Sequence, residues 1–424
     1  MSFVHLFFGL IAVVIAIALI VIAVSSLYWM THAWWSPAHH EATAYVGRPA
    51  RPAHSFSLIV PARHESEEVL GATVRHLLAQ SHPSVEIILS VGHDDPLTSK
   101  IAERLAARYP TVSVSSNTDE IKNKPRQLNT ALASCSGDVV GVFDAESIAA
   151  PDLLMHIDGV MQARNAQVVQ GAVQLINYRD SWFALRNCLE YYFWFRSRLH
   201  AHAMKGFIPL GGNTIFVARE LLEAVDGWDG DCLAEDCDLG VRLSMLGHRI
   251  TVAYDPLLVT REETPPTIAA LVRQRTRWAL GFMQVLRKGD WKRLPTRRRR
   301  LLAWWTLTQQ HLMALTGVCI PVAILAAVLL PLPVPLVLLT FLPALPMLAT
   351  VAFDCAALRE FGRDLGFRIG PREYARLILG TPFYQLLLAM AALRAMVMFY
   401  RGDFHWEKTG HPGAHLSMIE EPAA

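Results

Sequence analysis

The sequence predicts an α/β domain with a mostly parallel sheet, bracketed by apolar helices of membrane-spanning length. Three observations predict it. Short apolar runs alternate with helical patterns between Ser57 and Phe143, acidic residues close the second and fourth of those runs, and long uncharged stretches flank the region on both sides. Charged residues make up only 18 % of the 424 residues and mean hydropathy is +0.28, too apolar for an ordinary soluble protein.

The first uncharged stretch, Leu6 to Leu27, has about the length that crosses a bilayer core as a helix, and Tyr28 and Trp29 follow it as boundary rings do. It lacks the basic n-region of a signal peptide. Residues 1–31 are therefore expected to form an N-terminal transmembrane helix, and residues 32–56, with Pro, Ala and His, a linker.

Ser57-Leu58-Ile59-Val60, ended by Pro61, reads as a buried strand, and Leu70, Val74, Leu77 and Leu78 mark the helix after it. Val85 to Val91 is a second strand, Leu97 to Tyr109 a second helix, Val112 to Val114 a third strand and Gln127 to Ala133 a third helix. Asp138 to Phe143 is a fourth strand and stops at Asp144. In such sheets ligands sit beyond the carboxyl ends of the strands, so acidic residues there mark a site. Between Asp180 and Leu199 the residues Trp182, Leu185, Leu189, Tyr192 and Leu199 share one helical face, opposite Arg186, Glu190 and Ser197. That helix suits either a membrane surface or the domain's own core.

The domain is expected over residues 57–296 and a C-terminal transmembrane region over 297–400, followed by a tail, 401–424. Leu312 to Leu330 and Leu332 to Phe353 are uncharged, the second kinked by Pro333, Pro335, Pro343 and Pro346; Leu377 to Tyr400 is a weaker span interrupted by Arg394. Arg359, Arg363, Arg368, Arg372 and Arg376 form a basic loop expected in the cytoplasm, and two spans separate it from the α/β domain, which is then cytoplasmic too. This describes a protein of the plasma (inner) membrane in contact with membrane lipid. Arg297 to Arg300 reads as an anchor at the cytoplasmic face, not as a nucleic-acid contact, and the net charge of +2 adds no such signal. The six cysteines are scattered; Cys232 and Cys237 lack a second pair or a His at zinc-ligand spacing, so reduced thiols are expected.

Several segments carry chemistry. Phe143-Asp144-Ala145-Glu146 sets two carboxylates directly after a strand, an oxygen-rich place for a hard cation or simply a solvated loop. Ala234-Glu235-Asp236-Cys237-Asp238 leads into a helix, whose N-terminus favours an ionised carboxylate; a base or a plain N-cap both fit. Gln274-Arg275-Thr276-Arg277-Trp278 offers a guanidinium and a flat ring. Asp94-Asp95 and Lys124, taken singly, are surface charges.

Taken in order, Pro61, Asp94-Asp95, Lys124, Asp144-x-Glu146, Gly211-Gly212-Asn213, Gly227-Trp228-Asp229, Glu235-Asp236 and Gln274-x-x-Arg277-Trp278 resemble the family 2 glycosyltransferases. The resemblance is closest to the processive branch that includes cellulose and hyaluronan synthases. It runs from about Ser57 to Gln284, and the tail Trp406-Glu407-Lys408-Thr409-Gly410-His411 is similar to bacterial polysaccharide synthases.

That resemblance implies a GT-A, Rossmann-like domain. It implies an inverting transfer from a UDP-sugar, of glucose or N-acetylglucosamine type, to a growing β-linked polysaccharide. It implies that Asp94 and Asp95 hold the uracil, Asp95 making the contact, and that Lys124 approaches the diphosphate. Asp144 and Glu146 would bind nucleotide and a divalent cation, Mg²⁺ or Mn²⁺, with Glu146 standing where the family has aspartate. Asp236 matches the base, supported by Glu235, Gly211 and Gly212; Gln274, Arg277 and Trp278 match the motif that closes on diphosphate and acceptor. The same constellation occurs in enzymes resembling ceramide glucosyltransferase, so the acceptor is a glycan or a lipid. A non-catalytic role beside export or assembly subunits is a third reading, opposed by intact Asp144, Glu146, Asp236 and Arg277.

Overall fold

Helix α1 (Phe3–Trp35) takes up the whole N-terminal uncharged run. The computed structural model describes residues 3–37, 51–329 and 342–407, with positions 334, 335, 338, 410, 413 and 416. The four expected strands and three helices follow as β1 (Phe56–Ala62), α2 (Glu67–Leu78), β2 (Val85–Gly92), α3 (Pro96–Arg108), β3 (Val112–Asn117), α4 (Lys124–Leu132) and β4 (Val139–Val142). Local chemistry sets the helix starts. The Ser66 side chain accepts from the Val69 amide at 3.2 Å, Asp95 from Thr98 at 3.2 Å and Asn123 from Arg126 at 3.1 Å. Pro96 and Pro125 sit in the first turns of α3 and α4, where no amide is needed.

The chain continues through α5 (Leu153–Arg164), β5 (Val168–Gln170) and β6 (Val173–Leu175). Helix α6 (Ala184–Phe193) runs on through a π-helical turn, Trp194–Arg198, into α7 (Leu199–Lys205). Then come β7 (Ile215–Ala218), α8 (Arg219–Ala224), α9 (Glu235–Met245), β8 (Ile250–Val252), β9 (Thr260–Glu262), α10 (Ile268–Lys288), α11 (Arg297–Leu329), α12 (Ala344–Leu365) and α13 (Pro371–Arg401). The main sheet has the order β3-β2-β1-β4-β7-β5-β8. Its first four strands are parallel, whereas β7 runs antiparallel between β4 and β5. Ala62 pairs with Val91 and Ile59 with Val142, so the carboxyl ends of β1, β2 and β4 line one edge. Leu58, Val60, Ile87 and Leu89 pack one face against Leu70, Val74 and Leu77, while Ile59, Ile88, Val140 and Val142 join a cluster with Leu185, Leu189 and Tyr192.

Helix α6 therefore belongs to the core. Leu185, Leu189, Tyr192 and Leu199 are buried there. Its polar face is engaged too, because Arg186 pairs with Asp354 of α12 at 2.7 Å and half-buried Glu190 with Arg275 of α10 at 2.8 Å. Asp354, Ala357, Leu358 and Phe361 make the second half of α12 part of the domain. The expected span Leu332 to Phe353 mostly lies outside the described residues at its start and enters α12 at its end.

Among the described residues two helical stretches are long and apolar enough to cross a membrane, Gly9–Trp35 and Pro371–Arg401. The second packs along α10. Leu271 meets Tyr384, the Thr276 hydroxyl reaches the Ala391 carbonyl at 3.3 Å, and Ala279 and Leu280 meet Ala395 and Met398. Both ends of α13 rest on the domain, through Arg376 on the Ser181 carbonyl and through Phe399 and Phe404 under Arg287. Its outward face is apolar, with Ile378, Leu379, Phe383, Leu386 and Met390 exposed. An exposed apolar face of this kind suits a helix lying in a membrane interface.

Gly240 in α9 shows how tightly the layers close. A Cβ there would lie 2.3 Å from the Ile208 carbonyl oxygen and 2.9 Å from the Leu210 amide nitrogen, both backbone. Gly240→Ala is expected to destabilise the fold by about 1–3 kcal/mol through overpacking, read as a lower thermal unfolding midpoint in detergent.

Candidate active site

The segment 211–214 is where the sheet edge and the helices meet. Buried Gln170, at the end of β5, clamps it: its side-chain oxygen accepts from the Gly211 amide at 2.8 Å and its amide donates to the Asn213 carbonyl at 2.9 Å. Thr214 follows with φ +54°, an uncommon value for a β-branched residue, and its amide donates to the Val142 carbonyl at 2.8 Å. The strand ends of β4 and β7 are thereby drawn together beneath the site.

Lys124, in the first turn of α4, reaches across to this edge. Its ammonium contacts the Asp144 carboxylate and donates to the Gly212 carbonyl at 2.7 Å. A Cβ on Gly212 would lie 3.1 Å from an Asp236 oxygen and 3.2 Å from the Lys124 nitrogen, so a side chain there would press on both. Lys124, Asp144, Gly212 and Asp236, far apart in sequence, form one cluster. Burial works against the Lys124 charge, but Asp144, Glu235 and Asp236 around it raise its pKa and keep it protonated.

Glu235 and Asp236 open α9 with no side-chain cap. An Asp236 oxygen accepts from the Cys237 amide at 2.7 Å. The helix N-terminus alone would favour the ionised form, yet burial outweighs it and raises the Asp236 pKa, with Asp144 adding to the effect. Glu235 is pushed up to about 7, by burial first and by Asp236 second. Carboxylates titrating closer to neutrality are stronger bases than ordinary ones.

A third carboxylate went unseen in the sequence. Buried Glu262, at the end of β9, accepts from the Ser147 hydroxyl at 2.9 Å and from the Asn213 side-chain amide. Burial raises its pKa well above the usual range, and Asp144 and Glu146 raise it further. Asn213 also faces the Asp144 amide at 3.4 Å, tying Glu262 to the Asp144-x-Glu146 turn. Neither Glu262 nor Gln170 carries a local signal, since each sits on a three-residue strand.

The carboxylates around Lys124 suit a divalent cation electrostatically. Among the described residues no three His, Cys, Asp or Glu side chains are arranged to enclose one. Asp144 and Glu146 would supply part of a coordination shell, with phosphate oxygens and water completing it, as hard cations such as Mg²⁺ prefer.

The opposite wall is α10. A Cβ on Gly281 would lie 2.5 Å from the Ala234 Cβ and 2.6 Å from the Ala234 amide nitrogen, so α10 abuts the residue just before Glu235. Gln274 is buried, and its side-chain oxygen has no hydrogen-bond partner among the described residues. Such a buried acceptor is satisfied by a ligand or water. Arg277 donates to the Glu407 carbonyl at 3.1 Å and lies 5.8 Å from the Trp406 ring centre, which brings the tail beside the domain. Trp278 is backed by the Arg275 guanidinium, 4.4 Å from its ring, and by Tyr191 at 6.4 Å. Arg275 is held in turn by Glu190 at 2.8 Å, Asn187 at 2.5 Å and Tyr384 at 3.2 Å.

The two aspartates after β2 differ. Asp95 is 3 % exposed and accepts from the Thr98 and His64 amides, at 3.2 and 2.5 Å. Asp94 makes a two-pronged pair with Arg63 at 3.0 and 2.7 Å, which holds its carboxyl below the usual range. Asp95 is thus held by backbone amides, whereas Asp94 is exposed beside Arg63. Cys232 and Cys237 are buried in an apolar cluster as free thiols.

Comparison with known proteins agrees with this geometry. Residues 52–281, more than half of the chain, match the model of the family described as "Glycosyltransferase like family 2", and the chain belongs to that family. It is 27 % identical over 398 residues to a beta-monoglucosyldiacylglycerol synthase from Synechocystis, an alignment covering 87 % of this chain and 77 % of that protein. It is 26 % identical over 248 residues to the poly-beta-1,6-N-acetyl-D-glucosamine synthase of Staphylococcus aureus, covering 55 % and 56 % of the two chains. The structure of a mannosyltransferase from Pyrobaculum calidifontis, in complex with GDP-Man and Mn²⁺, superimposes with a TM-score of 0.59 at 19 % identity. It covers 92 % of this chain and 99 % of its own, a likeness of fold. The protein is thus a glycosyltransferase with a GT-A-like α/β fold.

The raised Glu235 pKa has a measurable consequence. Folded Glu235 keeps its proton up to about 7, whereas the ordinary value is 4.5, so between those values the folded state binds more protons and stability falls as pH rises. Glu235→Gln removes this cost. Raising pH from about 5 to about 8 should destabilise the wild type relative to the variant by roughly 1–3 kcal/mol, measured by unfolding of the ligand-free proteins.

Proposed function

We propose that this protein is a membrane-bound, inverting glycosyltransferase that moves one sugar from a UDP-sugar to the hydroxyl of a membrane glycerolipid on the cytoplasmic side of the plasma membrane. The observation that carries the reading is the double role of α10. One face presents Gln274, Arg277 and Trp278, and another is packed along apolar α13, so an acceptor entering beside Trp278 comes from the membrane side. Similarity to beta-monoglucosyldiacylglycerol synthases over most of both chains supports a lipid acceptor. A polysaccharide product is the second reading. It is favoured by the tail motif at Trp406 and Glu407, by Arg277 meeting that tail, and by the similarity to a poly-N-acetylglucosamine synthase.

In the proposed reaction the Asp236 carboxylate takes the proton of the acceptor hydroxyl. The oxygen forms a bond to the anomeric carbon from the face opposite the leaving diphosphate, whose bond to that carbon breaks, so configuration inverts. Lys124 and Arg277 hold the departing diphosphate through charge-assisted hydrogen bonds. Asp144 and Glu146 would hold a divalent cation, which when bound would neutralise charge on the leaving group. Trp278, stiffened by Arg275, offers the acceptor a flat surface, and Gln274 has a free acceptor oxygen for a sugar hydroxyl.

Asp236→Asn is expected to lower turnover by about 10² to 10⁴ while UDP binding persists, measured by initial rates and by calorimetry. Near-normal turnover of this variant would remove Asp236 as the base. Excess chelator is expected to abolish activity, and Asp144→Ala to weaken both cation and nucleotide binding; full activity in chelator counts against the cation site.

Product analysis separates the two acceptor readings. Purified protein given radiolabelled UDP-glucose or UDP-N-acetylglucosamine with diacylglycerol vesicles should yield a single organic-extractable product of constant mass. A water-soluble product that lengthens with time overturns the lipid reading in favour of the polymer.

A further inference from the structure

A basic cavity lies away from the Lys124 cluster. It measures about 420 Å³ and is lined by Arg164, His200, His248, Arg249 and Arg299, with no Asp or Glu in its wall. Met204 and Phe207 supply apolar surface beside these cations. The Arg299 guanidinium lies directly over Gly206, where a Cβ would fall 2.5 Å from its central carbon; Gly206 also has φ +73°. A side chain at 206 would force the Arg299 guanidinium to shift, and the positive φ favours glycine there as well. Among the described residues neither Arg249 nor Arg299 has a carboxylate within ion-pair distance. Two guanidiniums unneutralised in a concave wall favour an anion, and guanidinium matches phosphate oxygens in particular.

The cavity stands where a bilayer surface would lie. Lys205, next to Gly206, sits 4.6 and 4.4 Å over the rings of Tyr28 and Trp29 at the end of α1. Arg299 opens α11, whose Trp305 donates to Ser25 of α1 at 2.9 Å and whose Leu301 and Trp304 are exposed. Rings at this level belong to the headgroup region, and basic residues beside them attract anionic lipid. We infer that this cavity binds the phosphate of an anionic phospholipid headgroup, with Arg249 and Arg299 as its principal ligands and the acyl chains running over Met204, Leu301 and Trp304. The inference rests on the membrane-bound reading above, and it adds a lipid site separate from the acceptor site. Residues 206–212 connect the two, running from the Arg299 contact to Gly212 beside Asp236.

The test uses full-length protein in neutral detergent, with UDP and Mg²⁺ present to occupy the Lys124 cluster. Dioctanoyl phosphatidylglycerol, titrated by calorimetry, should bind saturably at one per chain. Dioctanoyl phosphatidylcholine and inorganic phosphate should bind at least tenfold more weakly. The double variant Arg249→Gln, Arg299→Gln should lose at least tenfold in phosphatidylglycerol affinity with its unfolding midpoint unchanged. If that variant does not fold, Arg249→Gln alone, at an exposed position, should still lose severalfold. Absence of saturable binding, unchanged affinity in the folded variant, or inorganic phosphate binding as tightly as the lipid would each overturn the assignment. Flotation with phosphatidylcholine vesicles tests the membrane reading separately: protein that floats but does not bind phosphatidylglycerol loses only the lipid site, whereas protein that stays in the dense fraction loses the membrane reading.

Discussion

The buried ammonium of Lys124 is the contact on which the rest of the candidate site depends. It touches Asp144 at the end of β4, the Gly212 carbonyl on the segment clamped by Gln170, and the neighbourhood of Asp236 at the start of α9. Without it, Asp144, Glu235, Asp236 and Glu262 would lose their main nearby counter-charge, leaving Arg277 to offset Glu235, a costly arrangement. The raised pKa values of Glu235, Asp236 and Glu262 show that one cation does not fully offset these acids. Surplus negative charge of this kind favours the approach of a cation.

The second constraint is mechanical. Helix α10 is held at both faces: Gly281 against Ala234 fixes its distance from Glu235 and Asp236, and α13 packs along its outer side. Arg275 joins the two functions. It backs the Trp278 ring while accepting support from Glu190, Asn187 and Tyr384, so the ring's position is coupled to a helix with an exposed apolar face. Gln274, Arg277 and Trp278 are therefore mounted on the helix that packs along apolar α13. The tail closes the same corner, where Arg394 and Glu407 form a two-pronged pair at 2.8 Å and Glu407 presents its carbonyl to Arg277.

The sequence by itself determined the parallel half of the sheet, because β1, β2 and β4 are largely buried and read as mostly apolar runs, with Asp94 and Asp144 just beyond the ends of β2 and β4. It also determined the family, since eight spaced motifs depend on order alone. Only the tertiary structure decided what those motifs do to one another. Strands β5 to β9 are three or four residues long and leave no periodic signal, so Gln170 and Glu262 were invisible until the fold set them beside Gly211 and Asp144. The choice between membrane surface and core for α6 turned on partners more than 80 residues away, Arg275 and Asp354. Asp94 and Asp95 are indistinguishable in sequence, yet backbone amides turn one inward and Arg63 holds the other at the surface. The raised carboxyl pKa values have the same origin: a carboxyl's pKa follows from the burial and charge around it, and both are properties of residues that the chain brings together only when folded.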